Sequence, residues 1–546
     1  MNKNIKTYFL VIGLLFAFNA CQDMLNTNSN LIAMEDEYQI NNATEARNAL
    51  NGITSELVSI ADRYVLMGEL RGDLMVTSEF ASTELQDVAR FQVSNENEYV
   101  DKRDYYRIIN NCNFLLQKLD TSLVLQNEKA LLPYHVLTKT LRAWTYFQLG
   151  QVYGKATYFT EPILDLNASL AEYPEMPLED LVTVLIDELK LYASLSINSF
   201  YSIVPVQIFL GDLYLYKNDY NTAASLYYDF ISDMQITVGE YANRWANTNM
   251  EGVSYYGNRY GSEVITNMPG YLSMQNVHSR LVNLSYNDKP SVLPAENYVR
   301  FMSEALYLHA ANNGVIPIFS GGDLRGCIRL INEYIGQAYN YVDIKGSQAC
   351  LIYKYYGNSS YMGGLDPDNG LLTNGLSIPT NIPTYRIPHL YLRFAEALNR
   401  IGKPTLAFAV LKYGLTDANV RDTLRVKVNP GELGEPFTRF PQATFFDYNY
   451  PVTGRGRGGG IPIDTTFFII PDLPTKQDSI LWVEDRILEE MAAETPFEGN
   501  RFFDLLRVSR RRANHPEFMA EKVAAKYPNK DEMKAKLLNP DIWFLP

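Results

Sequence analysis

The chain has 546 residues, of which 47% are hydrophobic, and a formal net charge of -14. That length exceeds what one compact core supports and predicts two lobes or a core with a large insertion, while the apolar fraction is that of a globular protein. The acidic balance without a basic stripe argues against a nucleic-acid partner, and four cysteines with no close CxxC pair argue against a zinc or thioredoxin-type site.

The chain opens with Lys3 and Lys6, an apolar run from Tyr8 to Phe18, and Asn19-Ala20-Cys21. The run is short for a membrane span and fits the apolar core of a signal peptide. A cysteine behind a small residue points to a lipoprotein signal over 1–20, with acyl chains on Cys21 and a polar tether over 21–42; the alternative is a plain secretory signal. Ala43 to Asp62 reads as a helix with Leu50, Ile53, Leu57 and Ile60 on one stripe. GELRGD at 68–73 contains Arg-Gly-Asp, which reads either as an adhesion tripeptide or, more simply, as an arginine paired with a carboxylate beside a glycine turn. Val76 to Tyr99 is irregular and polar. Asp104 to Thr121 is again helical.

Leu141 to Gly154, LRAWTYFQLGQVYG, carries a broad apolar face, with Arg142, Gln148 and Gln151 free to reach solvent. Gly150 inside this helix implies close approach by a neighbour. Its spacing of Tyr146, Leu149-Gly150 and Tyr153 matches the first helix of a tetratricopeptide repeat. The pattern returns at Leu210-Gly211 to Phe230, and at 391–400 followed by 405–413, where Ala395 takes the small position. The spacing is uneven, so the choice lies between repeat-like helix pairs sharing one core and ordinary helical hairpins. Leu178 to Leu195 adds a further helix.

From Tyr241 the character changes to Asn, Tyr, Gly and Ser, with a brief helix over 299–311 and short β-like runs such as CLIYKYY. Cys327 and Cys350 either pair or sit as small buried residues. GRGRGGG at 454–460 lacks the Lys-Ser/Thr of a P-loop and reads as a surface loop. Ser479 to Glu494 is helical and leads into 495–512, where Asn500 is a candidate cap of the helix holding Phe502, Phe503, Leu505 and Leu506, and Arg510 to Arg512 a solvated helix end. The boundaries follow: a signal over 1–20, a tether over 21–42, helical regions over 43–240 and 386–546, and a loop-rich lobe over 241–385.

The ordered set RGD at 71–73, YYRIINNCN at 105–113, RAWTYFQLGQVYG at 142–154, RFAEALNR at 393–400, and the acidic-Arg helix 484–490 followed by EGNRFFDLLR at 498–507 resembles the SusD/RagB outer-membrane lipoproteins of Bacteroidota. The resemblance implies a mainly α fold of tetratricopeptide-like helix pairs with an irregular insertion lobe. It implies a lipid-anchored cell-surface protein that binds oligosaccharide, or peptide in the RagB branch, and serves as lid of a SusC-like TonB-dependent barrel. It implies binding without catalysis, with the C-terminal signature serving the scaffold.

A sugar offers an apolar CH face and a rim of hydroxyls, which aromatic rings and polar side chains on loops can hold. The candidates are Phe80, Tyr99, Tyr255, Tyr256, Asn258, Arg259, Tyr260, Tyr286, Tyr355, Tyr356 and Tyr361, with SYYGNRYG at 254–261 foremost. No HExxH, no GxSxG and no cofactor motif occurs. The acidic turn at 366–370 departs from an EF-hand loop. A surface glycoside hydrolase and an adhesin remain the rival readings.

Overall fold

The computed structural model describes residues 39–195, 204–234, 236–238, 263–272, 277–310, 317–323, 325–330, 333–336, 338–356, 359–362, 376–379, 381–422, 427–434, 436–438, 449–457 and 469–546. The signal, Cys21, the cluster at 254–261, the turn at 366–370 and the end of the glycine run lie outside them.

Helices dominate. The stripe expected over 43–62 forms two helices, α1 (Ala43–Ser55) and α2 (Val58–Glu69), parted where Leu57 turns into the core. A row then builds up: α3 (Arg103–Lys118), α4 (Leu132–Tyr153), α5 (Leu178–Leu189), α6 (Val206–Tyr216), α7 (Tyr220–Met234), α8 (Ile387–Arg400) and α9 (Pro404–Lys412). Each packs on the next, and the long insertion between α7 and α8 does not break the row. The chain closes with α10 (Lys476–Glu494), α11 (Arg501–Ser509), α12 (Glu517–Ala524) and α13 (Lys530–Leu537). The described sheets are all two-stranded.

Helix α4 has no solvent side. Arg142 and Gln148 are buried, against the sequence expectation, because α3 and α5 cover both flanks. Arg142 is satisfied inside, donating to Asn113 Oδ1 at 2.8 Å and to Glu188 Oε1 at 2.8 Å. Gly150 does mark a close approach: a Cβ there would lie 2.6 Å from Leu178 Cδ1, so α5 seats on bare backbone. Gly211 is likewise covered by the Tyr227 ring of its partner helix, and Ala395 is fully buried. The helix ends at Gly154 in the left-handed region, φ 75°.

The two described ends of the insertion meet. Strand β4 (Val264–Pro269) pairs antiparallel with β6 (Asn381–Arg386), which runs straight into α8. Where a helix was expected over 299–311, the chain forms Glu296–Glu304 and then turns into the strand Leu306–Ala310. Cys327 and Cys350 are free and partly buried, and Cys112 is free and buried. Gly454 lies in a short helix, Val452–Arg457, rather than in a surface loop.

Two motifs far apart in sequence lock together. Arg71 and Asp73 are buried and do not pair with each other, contrary to the local pairing expected of them. Asp73 instead holds Arg501 through two bonds, Nε to Oδ1 at 2.6 Å and Nη2 to Oδ2 at 2.8 Å. Arg71 donates to the carbonyls of Met67 and Trp543, at 2.9 and 2.7 Å, and lies 4.3 Å over the Phe502 ring. Burial without a carboxylate lowers its pKa to about 9. Gly68 and Gly499 touch backbone to backbone, and a Cβ on Gly68 would overlap the Gly499 carbonyl. The Gly499 N–H donates to Glu69 at 2.9 Å.

The C-terminal signature ties elements rather than one helix. Of its four charges only Asp504 and Arg507 pair within α11, at 2.8 Å. Glu498 receives Arg386, at 3.0 Å, and Lys354. Arg507 reaches Glu396 on α8 at 2.7 Å. Asn500 does not cap α11; its amide points back to Glu498 O and its Oδ1 accepts from Arg393. Two of the arginines at 510–512 are not a solvated tail, since Arg511 pairs with Glu396 and Arg512 with Glu484 and Asp485, whereas Arg510 is exposed, pairs with Glu179 and lies over Tyr216.

Candidate ligand-binding surface

The loop that leaves Asp73 is the first component. Strand β1 (Met75–Thr77) pairs antiparallel with β5 (Val292–Pro294), which fixes the loop on the segment between α7 and α8. Ser78 continues the seam: its N–H donates to Ser291 O at 3.0 Å and its hydroxyl to Pro290 O. The Phe80 N–H then donates to Ser78 Oγ at 3.0 Å, a turn that throws the ring outward, where it is 47% exposed. Ser82 caps the next short helix, Thr83–Ala89, through the Leu85 N–H.

The second component is a tyrosine cluster. The Ser291 N–H closes a loop back to Leu284 O at 2.7 Å, and Tyr286 sits in that loop. Its buried ring lies 4.1 Å from Tyr356 and 5.5 Å from Tyr353, centroid to centroid. Tyr353 and Tyr356 are themselves 5.4 Å apart, and both are half-buried. The intervening residues point the other way. Lys354 Nζ donates to Pro496 O at 3.0 Å and also to Glu498, and Tyr355 OH donates to Phe497 O at 2.8 Å. The same turn that packs Lys354 and Tyr355 into the frame therefore presents Tyr353 and Tyr356 outward. Between the loops, Lys345 Nζ lies 3.7 Å from Asp288.

Chemically this face offers two partly open phenol rings, a third ring as their floor, and an exposed phenyl at the tip of the neighbouring loop. Such rings stack on the CH face of a sugar, and phenol hydroxyls donate and accept at its rim. Among the described residues no group of acids, histidines and cysteines could hold a metal ion.

The sequence candidates divide on this geometry. Phe80 and Tyr356 fall on the face, while Tyr286, 3% exposed, lies beneath it as a floor out of a ligand's reach. Tyr99 and Tyr355 are interior: Tyr99 is 2% exposed and its carbonyl accepts from Tyr153 OH, while Tyr355 is spent on the Phe497 carbonyl. Burial is what removes them from reach of a ligand. Tyr361 lies in the strand Ser359–Met362, opposite Ser377. Tyr255, Tyr256, Asn258, Arg259 and Tyr260 lie outside the described residues. Tyr353 of CLIYKYY is not among the sequence candidates; the chain leaves its strand at Ile352, so period-two alternation does not tell which of Tyr353, Tyr355 and Tyr356 share a side.

Two other features do not serve. A cavity of about 40 Å³ lies among α4, α6, α8 and α11, lined by Gln148, Asp212, Arg393, Asn500, Asp504 and Arg507. It has room for about three waters, far below the ~300 Å³ of a ligand pocket. The buried carboxylates of Glu490, Glu494 and Glu498 are consumed by Arg325, Arg386 and Lys354, as ties between α10, the turn after it and the insertion. Lys354 is lowered to about 8 by burial, against the raising effect of Glu498.

No family model matches the chain. It is similar to SusD-like protein P38 of Formosa agariphila, at 22% identity over 537 residues covering 93% of this chain and 92% of that one. A SusD superfamily protein from Bacteroides vulgatus superposes with a TM-score of 0.56 at 14% identity, covering 90% of this chain and 91% of that one. A second Bacteroides vulgatus structure, titled a SusD-like carbohydrate binding protein, gives 0.52 at 14% identity, over 86% and 84% of the two chains.

Proposed function

We propose that this chain, which is SusD/RagB-like in sequence along nearly its whole length and has the SusD-superfamily fold, binds carbohydrate at the outer surface of a cell. The observation that carries this reading is the full-length likeness to such proteins, one of which is titled a carbohydrate binding protein. The face formed by Phe80, Tyr353 and Tyr356 over the buried Tyr286 ring supplies chemistry suited to that ligand: stacking for affinity, hydroxyl contacts for selectivity. The cluster at 254–261, with Tyr255, Tyr256, Asn258, Arg259 and Tyr260, joins the insertion to the same task.

The remainder of the proposal concerns setting. Acyl chains on Cys21 hold the chain at the outer membrane, and residues 21–42 form the tether. The protein acts as a lid on a SusC-like TonB-dependent barrel, with the lobe over 241–385 between two helical regions over 43–240 and 386–546. No helix among the described residues is long and apolar enough to cross a membrane. Adhesion through Arg-Gly-Asp is not part of the reading, because Arg71 is 1% exposed and Asp73 6%.

The test is calorimetry of the purified protein against a panel of oligosaccharides and peptides, with the joint variant Tyr353→Ala, Tyr356→Ala beside the parent. Saturable binding of a glycan that the variant loses supports the reading. Binding of peptides alone would replace the ligand class with that of the RagB branch. Palmitate labelling and co-purification of a barrel from membranes test the anchor and the lid.

A further inference from the structure

The described chain begins at one end of the helical row. The Ile40 N–H donates to Lys118 O at 2.8 Å and Asp120 N–H returns to Ile40 O at 3.2 Å, so the segment arriving from Cys21 is strapped to the C-terminus of α3. Immediately beyond stands a hairpin, β2 (Val124–Leu125) with β3 (Glu128–Lys129), turned by Gln126 and Asn127 at φ 52° and 64°. It is exposed along both strands, and Val124 and Leu125 are 56% and 53% exposed. A separate segment ends at the same place. The turn Lys190–Tyr192 after α5 packs on the first turns of α4, with the Tyr192 ring 6.3 Å from His135, and leaves Leu191 77% exposed.

This end therefore combines three aliphatic side chains in water, from two separate parts of the chain, with the point where the N-terminal segment enters. Its charges also differ from the whole. Lys118, Lys129, Lys139 and Lys190 stand here beside Asp120, Glu128 and Asp187, whereas the whole chain carries -14. An acidic protein meets a lipid surface most readily through such a non-acidic, apolar end. Residue 39 is 18 positions from Cys21, so the chain between them can reach at most about 60 Å.

We infer that this end is the membrane-facing pole: with the chain held at Cys21, Val124, Leu125 and Leu191 enter the headgroup region of a lipid bilayer and set the orientation of the protein on it. The inference rests on the lipid anchor proposed above. Insertion is apolar rather than electrostatic, so it is insensitive to salt.

The test uses the full, acylated chain on vesicles of phosphatidylethanolamine and phosphatidylglycerol, with Cys112, Cys327 and Cys350 replaced by serine. An environment-sensitive dye is attached to Leu125→Cys, Leu191→Cys or, as reference, Leu538→Cys on the distant C-terminal helix, where the side chain is 40% exposed. The expected result is quenching by nitroxide-labelled lipid about threefold stronger at 125 and 191 than at 538, unchanged in 0.5 M (roughly 4 Å Debye length) salt, with blue-shifted emission. The variant Val124→Asp, Leu125→Asp keeps its circular dichroism and thermal midpoint and lowers quenching at 191. Equal quenching at all three positions on protein that floats with the vesicles overturns the pole and leaves the anchor standing. Protection of 125 and 191 by a membrane protein, without quenching by lipid, also overturns it. Failure to incorporate palmitate or to float overturns the anchor, and the pole with it.

Discussion

Replacing Asp73 by Asn asks directly what the Arg-Gly-Asp motif is for. The Asp73 carboxylate takes two short bonds from Arg501, whose third donor is held by Leu488 O at 2.7 Å, and both side chains are less than a tenth exposed. Burial pushes the Asp73 carboxyl up, and Arg501 outweighs it and holds the group below the usual range, so the pair is ionised at neutral pH. The amide retains one acceptor and turns an NH₂ against the guanidinium, leaving a buried cation without its counter-charge. Breaking one side of such a pair costs about 3–5 kcal/mol, so Asp73→Asn should lose roughly 3 kcal/mol. Followed by tryptophan fluorescence in urea at pH 7, that is a fall in midpoint of about 1 M for an m-value near 3 kcal/mol/M. Arg501→Met alone should cost a similar amount. The double variant should cost less than the sum by about 2 kcal/mol, because the strandings no longer add. An unchanged midpoint for Asp73→Asn, or a coupling near zero, would refute the argument that this pair ties the segment after α2 to α11.

Other outcomes follow from the same geometry. Gly68→Ala gains about 1 kcal/mol of helix propensity but drives a Cβ into the Gly499 carbonyl; a net loss of at least ~2 kcal/mol is expected by thermal unfolding. Gly52→Ala, in α1 with nothing within 4 Å of the new Cβ, should instead stabilise by about 0.5–1 kcal/mol. Tyr353→Ala with Tyr356→Ala should weaken glycan affinity by about tenfold in calorimetry, since each stacked ring contributes about 0.5–1.5 kcal/mol, with the fold intact. Burial raises Glu69 to about 7. The folded state then binds a proton that the unfolded state releases above about 4.5, so stability falls as pH rises from about 4.5 to 7. Glu69→Gln keeps an acceptor for the Gly499 N–H and removes this slope; urea midpoints should show it near parity with the parent at pH 5 (about the unfolded pKa) and ahead by up to ~3 kcal/mol at pH 8. Parallel pH profiles for parent and variant would mean that Glu69 does not titrate in this range.

The helices were readable because their signal is local. Apolar spacing marks α3, α6, α7 and α8, the stretch read from Leu141 to Gly154 is the second half of α4, whose first turns from Leu132 were not read, and small residues at 150 and 211 forecast close approaches that the structure contains. Misreadings occurred where a side chain's partner is remote. Arg142 and Gln148 look like solvent positions on a helical wheel, yet a helix flanked on both sides buries both, Arg142 with Asn113 and Glu188 as its partners. Arg511 and Arg512 look like a charged tail, and their acids come from α8 and α10.

The candidate face shows the same limit. Composition pointed to aromatic residues on loops, and that was enough to include Phe80 and Tyr356. It could not separate Tyr353, which faces outward, from Tyr355, which is bonded to the Phe497 carbonyl, since the two are distinguished only by where the chain leaves its strand.

By itself the sequence determined the order of helices, the places where they pack closely and the likeness to SusD/RagB proteins, because periodicity and motif order are properties of neighbouring residues. Only the tertiary structure decided that Arg71-Gly72-Asp73 is interior, that Asp73 belongs to Arg501, and which tyrosines remain open. Burial and ion pairing are set by residues hundreds of positions apart, and no local pattern encodes which of them will meet.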